Sequence, residues 1–335
     1  MTVAREHRQS ILDRDRLLAL AYKNVPVLSI LGVLILLVIA FSLVTSTFLT
    51  AGNILNLLRQ NSPTLIVAVA MTFVITTAGI DLSVGSTVAL TGALSAAMLA
   101  YPLSVEQTIP AMLLLGLLVG FVNGWFSSYQ GIPPFIVTLA ALTAVRGIAL
   151  FLTKGYSIPI DPALYFVGMG QGQLGPMPVP VIIAVIVVIL GWVGLNKTKY
   201  GQYVTGIGSN EEAVRRAGVN TRLIKLSVYL LTGLAAALAG MMVAARLGSG
   251  SANAAEGFEL EAIAAVVLGG TNLFGGRGTM LGTVLGALTI GVISNGLILM
   301  RVSPFLVPIV QGLVLLLAIW VNTRVFGRFT EGARR

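Results

Sequence analysis

Val25–Ser46 reads VPVLSILGVLILLVIAFSLVTS, an apolar run without a charged side chain. As a helix rising about 1.5 Å per residue it would extend roughly 33 Å, enough to cross the ~30 Å hydrocarbon core of a bilayer. No small-residue cleavage site of the signal-peptide kind follows it, so the run is expected to stay in place as a span. Ahead of it, residues 1–24 carry Arg5, Glu6, Arg8, Asp13, Arg14, Asp15, Arg16 and Lys23. That stretch is too long and too acidic for the n-region of a signal and reads as a cytoplasmic amphipathic leader.

Working outward, further apolar runs fall at about 63–80, 84–101, 108–127, 132–153, 178–195, 223–247, 260–274, 279–300 and 304–321. The expected fold is therefore all-α, a polytopic membrane protein of about ten transmembrane helices. The third and eighth runs are short or rich in Gly and Ala and read as the ones open to being broken helices. Composition agrees: 56% of residues are hydrophobic and 10% charged, with a mean hydropathy of +0.93, outside the range of a soluble domain. Residues 25–321 are read as one transmembrane domain, followed by a basic cytoplasmic tail, 322–335.

The net charge of +9 invites a nucleic-acid reading, but the Lys and Arg residues lie between apolar runs and form no patch interleaved with aromatics. Topology accounts for them. With the amino terminus in the cytoplasm, sixteen fall inside: five in the leader, six between spans six and seven, Arg277, and Arg324, Arg328, Arg334 and Arg335. Four fall outside, Arg59, Lys154, Arg246 and Arg301, which is the positive-inside pattern. Both termini are expected to be cytoplasmic. Arg146 lies within a span and reads as snorkelling toward the outer surface. Cysteine is absent and the single histidine, His7, is in the leader, so neither a metal site nor a nucleophile with a nearby base is legible. Enzyme activity is not expected, and with no phosphate-binding loop any ATP hydrolysis must occur on another chain.

The most informative pattern is internal. Gly79-Ile80-Asp81-Leu82, followed by Val88, Leu90 and Gly92, recurs as Gly257-Phe258-Glu259-Leu260, followed by Val266, Leu268 and Gly270. Asn123-Gly124 with Pro134-Phe135-Ile136-Val137 recurs as Asn295-Gly296 with Pro304-Phe305-Leu306-Val307. The offset equals five spans, an odd number, so the second half (about 223–321) is expected to be inverted relative to the first (about 48–153), as in many transporters. On that reading Gly79–Leu82 and Gly257–Leu260 approach opposite faces of the bilayer. Chance similarity among Gly-rich apolar segments is the competing account. Gly116-x-x-x-Gly120 and Gly282-x-x-x-Gly286 read as close helix packing.

The cytoplasmic stretch of about 196–222 holds the best-defined local pattern. Ser209-Asn210-Glu211-Glu212 reads as a capping box pairing the Ser209 hydroxyl with Glu212. Glu211 with Arg215 and Glu212 with Arg216 are i,i+4 pairs, and Gly218 is a left-handed stop. Asn210–Ala217 should thus be a short rigid helix, either a docking element or a solvated connector. For a solute path the residues of suitable type are Gln60, Asn61, Asn123, Asn295 and Gln311, with Phe135 and Phe305, since planar amides and aromatic faces suit a polyol. They suit helix-to-helix hydrogen bonding equally. Asp81 is open to a gating role or to a helix-cap role, and Glu259 and Glu261 are the other acidic groups at apolar runs.

Three motifs carry a resemblance. Gly79-Ile80-Asp81-Leu82-Ser83-Val84-Gly85-Ser86, the run Pro134-Phe135-Ile136-Val137-Thr138-Leu139 leading to Arg146-Gly147, and Phe258-Glu259-Leu260-Glu261-Ala262 continuing to Gly269-Gly270-Thr271 resemble the ribose-type permeases of bacterial ABC sugar importers. The likeness runs from about Phe48 to the end of the last span. It implies a multi-pass permease of the bacterial inner membrane that imports a monosaccharide, ribose or a related pentose or hexose, by alternating access. It also implies two ATP-binding-cassette ATPases that hold ATP and Mg, a second permease copy or paralogue, and a periplasmic or lipid-anchored sugar-binding protein. No cofactor, metal or nucleic acid is implied for this chain; membrane lipid is its solvent. Glu212-Ala213-Val214-x-x-x-Gly218 resembles the loop that inserts into the ATPase, so Ser209, Asn210, Glu211, Glu212, Ala213, Arg215, Arg216 and Gly218 are the expected coupling residues. Two departures are visible: Val214 stands where the family has a second Ala, and Leu231 where it has a Pro. The rival from another class is an ion-coupled secondary carrier for a small polar solute, which would need a buried carboxylate or His relay.

Overall fold

The computed structural model describes residues 27–316 except 102, 304, 311, 314 and 315. The leader, the basic tail, Gln311 and much of the tenth apolar run lie outside the described residues. Among the described residues these helices follow in order: α1 Val27–Val44, α2 Ala51–Thr76, α3 Val84–Ala100, α4 Val105–Ser128, α5 Pro134–Thr153, α6 Gly168–Gln171, α7 Val179–Lys197, α8 Lys199–Arg216, α9 Thr221–Leu247, α10 Phe258–Leu268 and α11 Met280–Leu299, with further helical residues from 307 onward. Two ladders of two-residue strands join them, β1 Ile158–Pro159 with β4 Ser249–Gly250 and β2 Gln173–Leu174 with β3 Met177–Pro178. Among the described residues α1, α2, α4, α5, α7, α9 and α11 are long and apolar enough to cross a membrane. The chain is a polytopic all-α membrane protein.

Local chemistry sets the helix ends. The Thr50 hydroxyl accepts the Asn53 N–H to open α2, Ser104 and Gln107 form a reciprocal capping box on α4, and Asn220 accepts the Leu223 N–H to open α9. Gly248, at φ 65°, stops α9. Helix α2 begins well before the apolar run at 63, because Asn53, Asn56, Arg59, Gln60 and Asn61 mask its start in the sequence while remaining helical.

Helix α9 is the hub, with α2, α3 and α4 packed around it. Its Gly233 meets Gly116 backbone to backbone, and Gly120 lies on the Tyr229 carbonyl. A Cβ at any of these three positions would strike main chain. Helices α10 and α11 repeat the device: Gly282 lies on Gly269 and Gly286 on Ala265. Both small-residue pairs picked from the sequence are thus packing surfaces, where missing side chains let axes approach.

Paired positions fix chain directions. Gly116, Gly120 and Gly124 meet Gly233, Tyr229 and Leu226 in falling order, so α4 and α9 are antiparallel, whereas Gly92 on Gly240 and Asp81 on Thr232 make α3 run with α9. Asn61 on Gly291 and Thr72 on Thr283 set α2 against α11. The series α2, α3, α4 therefore alternates in the opposite sense to α9, α10, α11, the relation that an inverted copy requires. One expectation fails. The two repeated peptides do not sit across the bilayer from each other: Glu259 lies against Gly85, one turn beyond Asp81. Residues 249–257 run back along α3 as turns and short extended chain, Gly250 against Gly92 and Ala255 against Gly85, so α10 starts deep and spans only 11 residues.

Arg146 holds that segment, and this corrects its reading as a residue snorkelling outward. Its Nη1 donates to the carbonyls of Ala252 and Ala254 at 2.5 and 2.8 Å, and Nη2 to that of Ala255 at 3.4 Å. Carbonyls of irregular chain inside a bundle must find donors, and one guanidinium supplies three. Arg146→Leu is expected to cost about 2 kcal/mol or more, read as a lower melting temperature in detergent and as protease cleavage between 249 and 257. Unchanged melting with the segment still protected would contradict the anchoring role.

At the end of the bundle that carries α8, three segments share a main-chain joint. The Gly276 N–H donates to the Thr76 carbonyl at 3.0 Å, and Gly208 of α8 packs on the same carbonyl with no side chain between.

Candidate functional site

Helix α8 contains the first candidate. Asn210 leaves helical geometry (φ −163°, ψ 92°) and divides α8 into a longer first part and a short second part ending at Arg216. The cap of the short part is Asn210, whose Oδ1 accepts the Ala213 N–H at 3.0 Å. This corrects the expected Ser209 capping box: the Ser209 hydroxyl instead donates to the Thr205 carbonyl, closing the first part of the helix. Glu212 binds Arg216 at 2.9 Å as expected and also Arg215. Glu211 does not pair with Arg215; it reaches across to Lys225 of α9 at 3.1 Å. Gly218 has the expected left-handed φ of 84°. Ser209–Ala213 and Arg215–Gly218 are exposed in this chain, leaving the short helix presented on nearly all sides.

The second candidate is the Asp81 turn between α2 and α3. Asp81 is buried; its Oδ1 accepts the Ser83 N–H and hydroxyl at 3.0 and 2.7 Å, and its Oδ2 accepts the Thr232 hydroxyl at 2.8 Å. Asn123 donates to the Ser83 hydroxyl at 2.7 Å. This network is a polar clasp between the α2–α3 turn, α4 and α9. Neither Asp81 nor Asn123 lines the cavity described next; Asp81 ties the turn ahead of α3 to α9, and the N-cap position of α3 is Ser83.

The third candidate is a cavity of about 240 Å3 between α2, α9, α10 and α11. Gln60, Asn61 and Asn295, three of the expected path residues, line it together. Gln60, Asn61 and Thr64 come from one face of α2, and Gly291, Ser294 and Asn295 from one face of α11. The Asn295 and Asn53 amides exchange hydrogen bonds at 2.9 and 3.0 Å, which fixes that wall. Pro63 in the same wall removes the helical N–H that would reach the Arg59 carbonyl. A wider depression of about 620 Å3 adjoins the cavity, sharing Gln60 and Arg246 and adding Asn56, Arg59, Gln171 and Gln173. Its rim is near the β2–β3 turn, where the Gln171 amide donates to the Arg246 carbonyl at 3.1 Å.

Phe135 and Phe305 do not join this site. They are 52% and 87% exposed on the chain's surface. Conversely, Arg246, Glu261 and Phe258 line the cavity without having been assigned to the path. Arg246 and Arg59, two of the four charges read as outside, both line the depression. The available signal was the polar stripe Asn53, Asn56, Gln60 and Thr64 at helical spacing ahead of the apolar run.

The family described as branched-chain amino acid transport system / permease component matches residues 53–319. The chain is 43% identical over 289 residues to the ribose import permease protein RbsC of Haemophilus influenzae, covering 85% of this chain and 90% of that one. It is 41% identical to RbsC of Escherichia coli K12, over 88% of this chain and 93% of that one. It is 35% identical to the xylose transport system permease protein XylH of Haemophilus influenzae, over 84% and 92%. No solved structure matches. A membrane-spanning helical bundle, matched over most of its length, makes this chain a polytopic membrane permease that belongs to the branched-chain amino acid transport system / permease component family.

Proposed function

We propose that this chain is the permease subunit of an ATP-driven importer of a monosaccharide, ribose or a related pentose or hexose. The observation that carries the reading is the amide-lined cavity: Gln60, Asn61 and Asn295 converge with Phe258 on a space of about 240 Å3, below the ~300–1,000 Å3 of drug-sized sites and suited to a small solute. Ribose and xylose in the names of the relatives support the same class. The depression beside the β2–β3 turn faces the periplasm and receives sugar from a binding protein. The end with α8 faces the cytoplasm together with both termini, as the positive-inside pattern suggests. There the exposed second part of α8 docks on an ATP-binding-cassette subunit that supplies ATP and Mg, and a second permease, identical or related, completes the channel.

The test is uptake of radiolabelled ribose and xylose into proteoliposomes holding the permease, its ATPase and its binding protein. Uptake is expected to require all three and ATP. Uptake by the permease alone, driven by a sodium or proton gradient, would establish an ion-coupled carrier instead. On this chain, which is free of cysteine, a Cys placed at Ser209 should be labelled from the cytoplasmic side only.

A further inference from the structure

Asn61 is 8% exposed, lines the cavity, and its Nδ2 has no hydrogen-bond partner among the described residues. A buried amide N–H left unsatisfied carries a penalty of about 1–3 kcal/mol, so a polar visitor to the cavity is the natural recipient. Opposite it stands Gly291 on α11. A Cβ there would come within 3.0–3.2 Å of the Asn61 amide atoms, tight enough to push that group aside. The amide is thus held in the cavity wall against a bare stretch of main chain, its Nδ2 without a partner among the described residues.

The rest of the wall restricts what can accept that donor. Arg246 and Glu261 contribute one charge of each sign, so the cavity has no excess charge to offset that of an ion. Phe258 adds an apolar face suited to the C–H side of a ring. We infer that Asn61 and Gly291 form a specificity subsite for an uncharged polyol of pentose size: the Asn61 Nδ2–H donates to a hydroxyl or ring oxygen of the solute in transit, and the missing side chain of Gly291 sets the room beside it. This deepens the import reading above and rests on it.

The experiment measures ATP-dependent uptake of ribose, xylose and glucose, with ribose 5-phosphate as a charged competitor, in the assembled transporter. Asn61→Leu should raise the KM for ribose about three- to ten-fold, the worth of one hydrogen bond, while ATP hydrolysis stimulated by the binding protein persists. Gly291→Ala should lower glucose uptake more than ribose uptake, a change in ratio that loosened packing alone would not produce. Ribose 5-phosphate should not compete in any variant. Unchanged KM and unchanged sugar ratios in two folded, ATP-hydrolysing variants overturn the subsite and leave the importer intact. Failure of the wild-type complex to take up any of the three sugars with ATP overturns both.

Discussion

Gly116→Leu should leave little folded permease in the membrane, while Gly32→Leu on α1 should be near neutral. The difference lies in what the new side chain meets. At Gly116 a Cβ would strike the Gly233 carbonyl and lie 2.6 Å from the Ala237 Cβ, whereas at Gly32 nothing lies within 4 Å. Main chain cannot rotate aside as a side chain can, so α4 and α9 must separate. Overpacking generally costs about 1–3 kcal/mol, and a leucine forced between two helix backbones belongs at or above the top of that range. Because α9 also carries α2 and α3, separation at one seam loosens the whole core. The measurement is the yield of monodisperse protein in detergent and its melting temperature. Equal yield and melting for the two variants would show that the α4–α9 seam is not closely packed in the membrane.

The second large effect is functional: Gly218→Val should abolish or sharply weaken ATP-driven uptake in a permease that still inserts. At φ 84° Gly218 ends the short part of α8, its N–H donating to the Arg215 carbonyl at 3.0 Å. A β-branched residue in that conformation costs about 1–2 kcal/mol or more, and a helix of so few residues has little else to hold its last turn. Charge reversal by Glu212→Lys acts on the same turn, since Glu212 serves both Arg215 and Arg216. The read-outs are co-purification of the ATPase and coupling of hydrolysis to uptake. Asn210→Ala should weaken the helix by about 1 kcal/mol, whereas Ser209→Ala should not. Normal ATPase association and coupling in Gly218→Val and Glu212→Lys would return the segment to being a connector.

Much of this architecture was legible because hydrophobic length and glycine placement are local signals. Most of the long apolar helices, the close-packed glycines and the Gly218 stop could be read directly, whereas ten runs were expected to cross and seven helices among the described residues are long enough to do so. What could not be read depended on partners remote in the chain. Ser209 and Asn210 are adjacent residues of equal capping ability, and the choice fell to Asn210 because the first part of α8 takes up the Ser209 hydroxyl. Arg146 looked like a snorkelling residue because no periodicity reveals that residues 252–255 run back beside it as irregular chain. Phe135 was of the right type for a sugar path, but residue type alone does not say which side of α5 faces in, and Phe135 lies on its exposed side. In α2 the apolar run shows only from 63 onward, so the polar turns that carry Gln60 and Asn61 into the cavity wall could not be recognised as the start of the same helix.

The joint of Thr76, Gly208 and Gly276 has a mechanical consequence. It brings together the end of α2 from the first half, the connector, and the loop before α11 from the second half, with no side chain interposed. Side chains absorb small displacements by changing rotamer; a rivet of carbonyl, amide and bare Cα has no such slack. A thrust delivered to the connector is therefore shared by both halves at once, and the bundle responds as two plates driven by one pin.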